Sequence, residues 1–286
     1  MTVTCSVQRH TVVTPEGDKT LVCRHWHSPT SQQLLVCVHG LTHNGRFFDE
    51  LAQQLAQYYH VMCPDVLGRG DSDWLSDSSL YGYPLYIANF QQLLPLWRQQ
   101  CESQRVYWLG TSMGGLIGML LEAQQPGTLC KLILNDVGSR IPLAALKRIG
   151  GYVGQDRQFA SLEEAEAEFR IIAAPFGALT EAQWHQLALR AFEQVQPGRW
   201  RFRYDPGIAA AFKALDDDID LTAAWQLLQC PVLVLRGSNS DVLTAEVAAE
   251  MALRDDTEVL EIPGCGHAPM LLDARQIELL RAYLAC

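Results

Sequence analysis

Ser112 stands in Gly110-Thr111-Ser112-Met113-Gly114, after the apolar run Arg105–Leu109 and before the apolar segment Leu116–Leu121. A serine between glycines at such a joint suggests a phosphate cradle, an exposed nucleophile or a close helix–strand contact. The phosphate reading has little behind it. No Gly-Lys-Ser/Thr occurs. Gly110-x-x-x-Gly114-Gly115 follows at least two strand–helix units, whereas dinucleotide loops usually follow the first strand, and Asp136 is the only acidic candidate for a ribose. In a strand–turn–helix setting, G-x-S-x-G forces a sharp turn that lifts the hydroxyl above the sheet edge. Ser112 is therefore the candidate nucleophile.

A serine hydroxyl needs a base, and the base needs an acid to orient it. His267 lies in Pro263-Gly264-Cys265-Gly266-His267-Ala268-Pro269, a turn after the final strand, where loops at the carboxyl ends of parallel strands converge. Asp241 follows Val232–Leu235 and the turn Arg236–Ser240, one strand before that histidine, and is the expected acid. Asp136, ending Leu132–Asn135, is the alternative; its other reading is a turn-shaping hydrogen bond. The oxyanion of an acyl-transfer intermediate needs backbone N–H donors. Met113, next after the serine, supplies one. Leu41, in His39-Gly40-Leu41-Thr42-His43-Asn44, is the best candidate for the other. His39 reads as a loop-shaping residue, and His43 and Asn44 as possible borders of the pocket.

The elements that must position these residues alternate. A hairpin is expected in the first 30 residues, around Pro15-Glu16-Gly17-Asp18. Short apolar strands follow at Leu34–Val38, His60–Cys63, Arg105–Leu109 and Leu132–Leu134, with helical patterns between them. That alternation indicates a parallel sheet covered on both faces. From about Ser139 to Leu221 only helical patterns are evident at first, with capping boxes at Ser161–Glu164 and Thr180–Gln183. Strands resume at Val232–Leu235 and Glu258–Ile262. The expected organisation is a core of residues 1–139 and 221–286, interrupted by a helical cap over residues 140–220. Phe169, Ile172, Trp184, Leu187 and Phe192 give the cap helices apolar stripes, and Trp184 is a possible pocket residue.

The chain has 286 residues and a net charge of −10. Without a Lys/Arg cluster, nucleic acid and anionic membrane surfaces are poor partners. No secretory start and no run of about 20 apolar residues is present. The nine cysteines include no C-x-x-C, so a reduced, cytoplasmic protein is expected. His25 and His27 can turn two rings to one face of a strand, but no third ligand is suggested nearby. No metal and no cofactor are expected.

With these motifs in order, the chain resembles the α/β-hydrolase superfamily along nearly its whole length. "VHGLTHNGRFFDELAQQL", "PDVLGRGDSD", "GTSMGG", "LNDVG", "VLRGSNSDVL" and "GCGHAPML" carry the resemblance, and the order Ser112, Asp241, His267 is that family's order. It implies a mostly parallel central sheet flanked by helices, with a cap inserted after the sixth strand. In "PDVLGRGDSD" the resemblance gives the glycines and Arg69 a structural role. Serine at position 112 disfavours the dehalogenase and epoxide hydrolase chemistries, which use aspartate there. The expected activity is hydrolysis of a small-molecule carboxylic ester through an acyl-enzyme. Lactone hydrolysis, carbon–carbon bond hydrolysis and a catalytically silent binding protein are the alternatives. The carbon–carbon reading needs a basic group for an acidic substrate, for which Arg140, Arg199, Arg201 and Arg203 are candidates.

Overall fold

The computed structural model describes residues 2–212 and 216–285. The chain opens with the hairpin β1 (Thr4–Thr14) and β2 (Gly17–His27). It continues through β3 (Gln33–Val38), α1 (Asp49–Leu55), β4 (Tyr59–Pro64), α2 (Tyr83–Gln100), β5 (Val106–Thr111), α3 (Met113–Gln124) and β6 (Lys131–Asn135). There it leaves the main sheet. It returns with α7 (Thr222–Gln226), β12 (Val232–Gly237), α8 (Ala245–Met251), β13 (Thr257–Ile262) and α9 (Ala274–Ala285).

These strands form one eight-stranded sheet in the order β1-β2-β4-β3-β5-β6-β12-β13. The β1–β2 and β2–β4 pairs are antiparallel and every other pair is parallel. The apolar strands explain why both faces are covered. Leu34, Val36 and Val38 of β3 point to one core and Leu35 and Cys37 to the other. In β5, Val106 and Trp108 alternate with Tyr107 and Leu109 in the same way. Period-2 alternation with apolar residues on both sides requires a layer on each face. On the first face α2 and α3 contribute Phe90, Leu93, Trp97 and Ile117; on the second, α1 and α9 contribute Leu51, Leu55, Leu280 and Leu284. Among the described residues no helix is long and apolar enough to cross a membrane.

The insertion is less helical than its sequence pattern implies. Between β6 and α7 lie β7 (Arg140–Ile141), α4 (Leu143–Gly150), β8 (Gln158–Phe159), α5 (Leu162–Ile172), α6 (Glu181–Ala191), β9 (Phe192–Gln196), β10 (Arg199–Phe202) and β11 (Ile219–Asp220). Strands β8, β10 and β9 make a small antiparallel sheet. They escape notice because a two-residue strand has no measurable period, β9 breaks alternation at Glu193-Gln194, and β10 alternates charged and apolar residues over only four positions. The α5 and α6 stripes meet the small sheet in a separate core of Phe159, Phe169, Trp184, Leu187 and Phe192.

Candidate active site

The turn from β5 into α3 holds Ser112 at φ 52°, ψ −117°, a region that L-residues seldom occupy. Its flanking glycines are dictated by packing. A Cβ on Gly110 would lie 2.2 Å from the Gly114 carbonyl carbon, and one on Gly114 would lie 2.1 Å from the Val38 oxygen. Ser112 N–H donates to Asn135 O at 3.0 Å, tying the turn to β6. Its own carbonyl accepts from Gly115 and Leu116 N–H. Met113 N–H is the first amide of α3, among those a helix cannot satisfy itself.

The structure brings Ser112 and His267 together and does not bring Asp241 to them. His267 Nε2 lies 2.9 Å from Ser112 Oγ. His267 Nδ1 lies 2.7 Å from Asp136 Oδ2. Asp136 is fully buried at φ 58°, directly after β6. Its carboxylate also accepts from Gly237 N–H at 2.7 Å and from Ser240 Oγ–H at 2.6 Å. Those bonds leave Nδ1–H facing the carboxylate and Nε2 facing the serine. Asp241, the expected acid, instead forms a two-point ion pair with Arg148 of α4, with Nε–Oδ2 at 2.6 Å and Nη2–Oδ1 at 2.8 Å. Partial burial works to raise the Asp241 pKa, but the Arg148 bonds and charge hold it below the usual carboxylate range. Neighbouring side chains in the β12–α8 loop thus part company: Ser240 turns inward to Asp136, and Asp241 turns outward to the cap. Sequence pattern missed Ser240 altogether, because a serine in a polar turn carries no signal of direction.

The second loop at the site is fixed by two buried residues. His39 Nδ1–H donates to Gly40 O at 2.7 Å, while its Nε2 accepts from Val66 N–H at 3.0 Å. Burial pushes the His39 pKa down to about 3, so the ring stays neutral and keeps that tautomer. Arg69, with no exposed surface, donates from Nε to Leu41 O at 2.9 Å. Carbonyl and N–H of one trans peptide point in opposite directions. Holding Gly40 C=O against His39 therefore turns Leu41 N–H the other way. Gly40 lies beside the serine; a Cβ there would be 3.7 Å from Ser112 Cβ.

Two lobes of cavity meet at Leu41, Ser112 and Ile149. The narrower, about 60 Å³, is lined by Thr42, His43, Arg148, Tyr152 and His267 among others. The larger, about 340 Å³, is walled by Tyr83, Met113, Leu116, Leu146, Ile208 and Leu221. His43 lines the narrow lobe, stacked on Phe47 with ring centroids 4.1 Å apart; burial and then the nearby His267 depress its pKa. Two other expected pocket residues lie elsewhere. Asn44 is buried, capping the short turn Gly45–Phe48 and donating to Arg190 O at 2.8 Å. Trp184 is inside the cap core, packed on Phe169 and Phe176. The arginines considered for an acidic substrate are engaged outside the lobes: Arg140 with Glu250, Arg199 with Gln158, Arg201 with Glu193, and Arg203 with Asp71.

This arrangement can transfer a proton from a hydroxyl to an imidazole beside an apolar cavity, and known proteins of similar sequence are hydrolases. A 3-hydroxybutyrate-oligomer hydrolase from Cupriavidus necator is 38% identical over 277 residues, 93% of each chain. An esterase from Mycobacterium tuberculosis is 27% identical over 228 residues, 77% of this chain and 71% of that one. The crystal structure of an alpha/beta hydrolase from Novosphingobium aromaticivorans superposes with a TM-score of 0.86 at 33% identity, covering 98% of both chains. A family model described as "Alpha/beta hydrolase family" matches residues 35–279. Sheet order, the serine turn and sequence thus agree, and the chain belongs to the alpha/beta hydrolase family.

Proposed function

We propose that this protein is a serine-dependent carboxylic ester hydrolase that cleaves short oligoesters of small hydroxy acids. The observation that carries the reading is the chain Ser112 Oγ–His267 Nε2 (2.9 Å) and His267 Nδ1–Asp136 Oδ2 (2.7 Å) at the junction of two cavity lobes. Ser112 Oγ attacks the ester carbonyl as His267 Nε2 takes its proton. Asp136 stabilises the resulting imidazolium through Nδ1–H. The oxyanion lies on the N–H groups of Leu41 and Met113, where loss of one donor costs about 3–4 kcal/mol. His267 then protonates the leaving alcohol, afterwards deprotonates a water that attacks the acyl-enzyme, and gives that proton to Ser112 Oγ as the acyl–oxygen bond breaks and the acid leaves. The larger apolar lobe takes the acyl part and the narrower, more polar lobe the alcohol part. An oligoester of hydroxy acids suits such a pair of lobes, and the Cupriavidus relative is named for that substrate. The ester reading is favoured over carbon–carbon hydrolysis because Arg148, the one guanidinium among the described lining residues, is already paired with Asp241.

The test is turnover of 3-hydroxybutyrate dimer and trimer beside p-nitrophenyl acetate through decanoate. Wild-type enzyme should hydrolyse both sets, and Ser112→Ala should lose about 10⁶-fold in kcat. A fluorophosphonate adduct should map to Ser112. Labelling without turnover of any ester, or cleavage of a vinylogous diketone in preference to esters, overturns the reading.

A further inference from the structure

A second cluster of chemistry-bearing side chains lies at the opposite end of the main sheet from Ser112. His60 opens β4, His25 and His27 lie on neighbouring β2, and Cys101 directly follows α2. The fold therefore brings a third and fourth group to the His25–His27 pair. His25 Nε2 and His60 Nδ1 are 3.1 Å apart. A ligand atom from each of His25, His60 and Cys101 falls within 4.8 Å of the others. His25 and Cys101 are each only 5% exposed. His27 covers the pair, its ring 4.6 Å from that of His25 and 5.8 Å from that of His60.

We infer that His25 Nε2, His60 Nδ1 and Cys101 Sγ form a binding site for a divalent zinc ion. Zinc–nitrogen bonds of about 2.0–2.1 Å and a zinc–sulfur bond of about 2.3 Å place tetrahedral ligand atoms about 3.3–3.6 Å apart. The two nitrogens nearly meet that spacing already. The thiol needs side-chain movement of about 1 Å. Two imidazoles and a thiolate are the donor set that a borderline-soft ion selects over calcium or magnesium, and the fourth position is left for water.

An independent observation concerns the next shell. His25 Nδ1 accepts from Gln8 Nε2 at 3.1 Å, with Gln100 Nε2 farther off at 3.4 Å, and Gln8 Oε1 is buried without a hydrogen-bond partner. A metal-bound imidazole usually donates its other N–H to an oxygen. Half a turn of the Gln8 amide supplies that oxygen and satisfies the orphaned atom. Binding then balances simply: the His25 proton moves from Nε2 to Nδ1, His60 keeps its Nε2 proton, and the Cys101 thiol releases one proton to solvent. The ion would tie β2 and β4 to the end of α2, away from the candidate active site.

The experiment uses untagged full-length protein, freed of metal by a chelator, with zinc and cobalt as probes. One zinc should bind per chain and raise Tm. Cobalt should give tetrahedral visible bands and a thiolate-to-metal charge-transfer band in the near ultraviolet. Cys101→Ser should lose that band and the tight zinc, and Gln8→Ala should weaken zinc by about 10–100-fold. Absence of zinc uptake by the wild type, or cobalt uptake with no thiolate band, overturns the assignment without reference to any variant. Unchanged zinc affinity in a folded Cys101→Ser protein does so too. Failure of the ester reading leaves this result untouched, since no step there uses the metal.

Discussion

At the residue scale the decisive contacts are those of one carboxylate. Asp136 is fully buried and accepts from Gly237, Ser240 and His267. Three donors on one buried carboxylate fix its direction toward the imidazole. Asp241 has a side chain that is 47% exposed and a guanidinium of its own. The two aspartates should therefore respond differently to the same change. Asp136→Asn should lower kcat by about 10⁴-fold, through the wrong histidine tautomer and an unpaired imidazolium. Asp241→Asn should cost less than about tenfold, consistent with the small worth of exposed ion pairs. Steady-state kinetics on p-nitrophenyl butyrate, with circular dichroism to verify folding, checks both; the reverse order would restore Asp241 as the acid.

At the element scale the inserted segment divides into residues that pack against one another and residues that line the larger lobe. Trp184, Phe169, Leu187 and Phe192 hold α5 and α6 to the small cap sheet. Leu146 on α4 and Leu116 on α3 instead face the larger lobe. Trp184→Ala should thus lower stability by about 3–5 kcal/mol while leaving the acyl-length profile in place. In the wild type each added methylene should gain up to about 1 kcal/mol in kcat/KM until the lobe is full. Leu146→Trp should fill that lobe and lower kcat/KM for the longest acyl chains by about tenfold or more, with acetyl ester turnover retained. An acetyl-to-decanoyl series on both variants makes the comparison. A profile altered by Trp184→Ala alone would place the acyl chain elsewhere.

At the scale of the whole molecule, the buried His39 makes stability depend on pH. Its folded pKa is about 3 against an ordinary 6.5, because burial penalises the charged ring. Protonation would also break the bond that Nε2 accepts from Val66 N–H. Between pH 6.5 and 3 the unfolded chain binds a proton that the folded chain refuses. Stability is therefore present above pH 6.5 and is lost as pH falls through that window, by at most about 1.4 kcal/mol per pH unit from this one group. Urea denaturation from pH 7 to pH 4 should show the decline. His39→Asn retains a donor for Gly40 O but no titratable ring, so its slope should be flatter even though its stability at pH 7 is lower. An equal slope in the two proteins would remove His39 as a source.

The sequence by itself determined what is local. Alternating apolar residues demanded strands with both faces covered, and steric exclusion around Gly110 and Gly114 marked the sharp turn that presents Ser112. The histidine of a glycine-rich turn after the last strand was legible because strand direction places that loop beside Ser112. Direction across the sheet was not legible. Asp136 and Asp241 both follow strands that end near His267, and only the left-handed backbone at Asp136 and the inward turn of Ser240 decide which carboxylate arrives. The short cap strands β8–β10 exist through pairing among segments up to 43 residues apart, which no local period encodes. The same holds for His25, His60 and Cys101. They are scattered over 76 positions and become neighbours only because β2, β4 and α2 pack together.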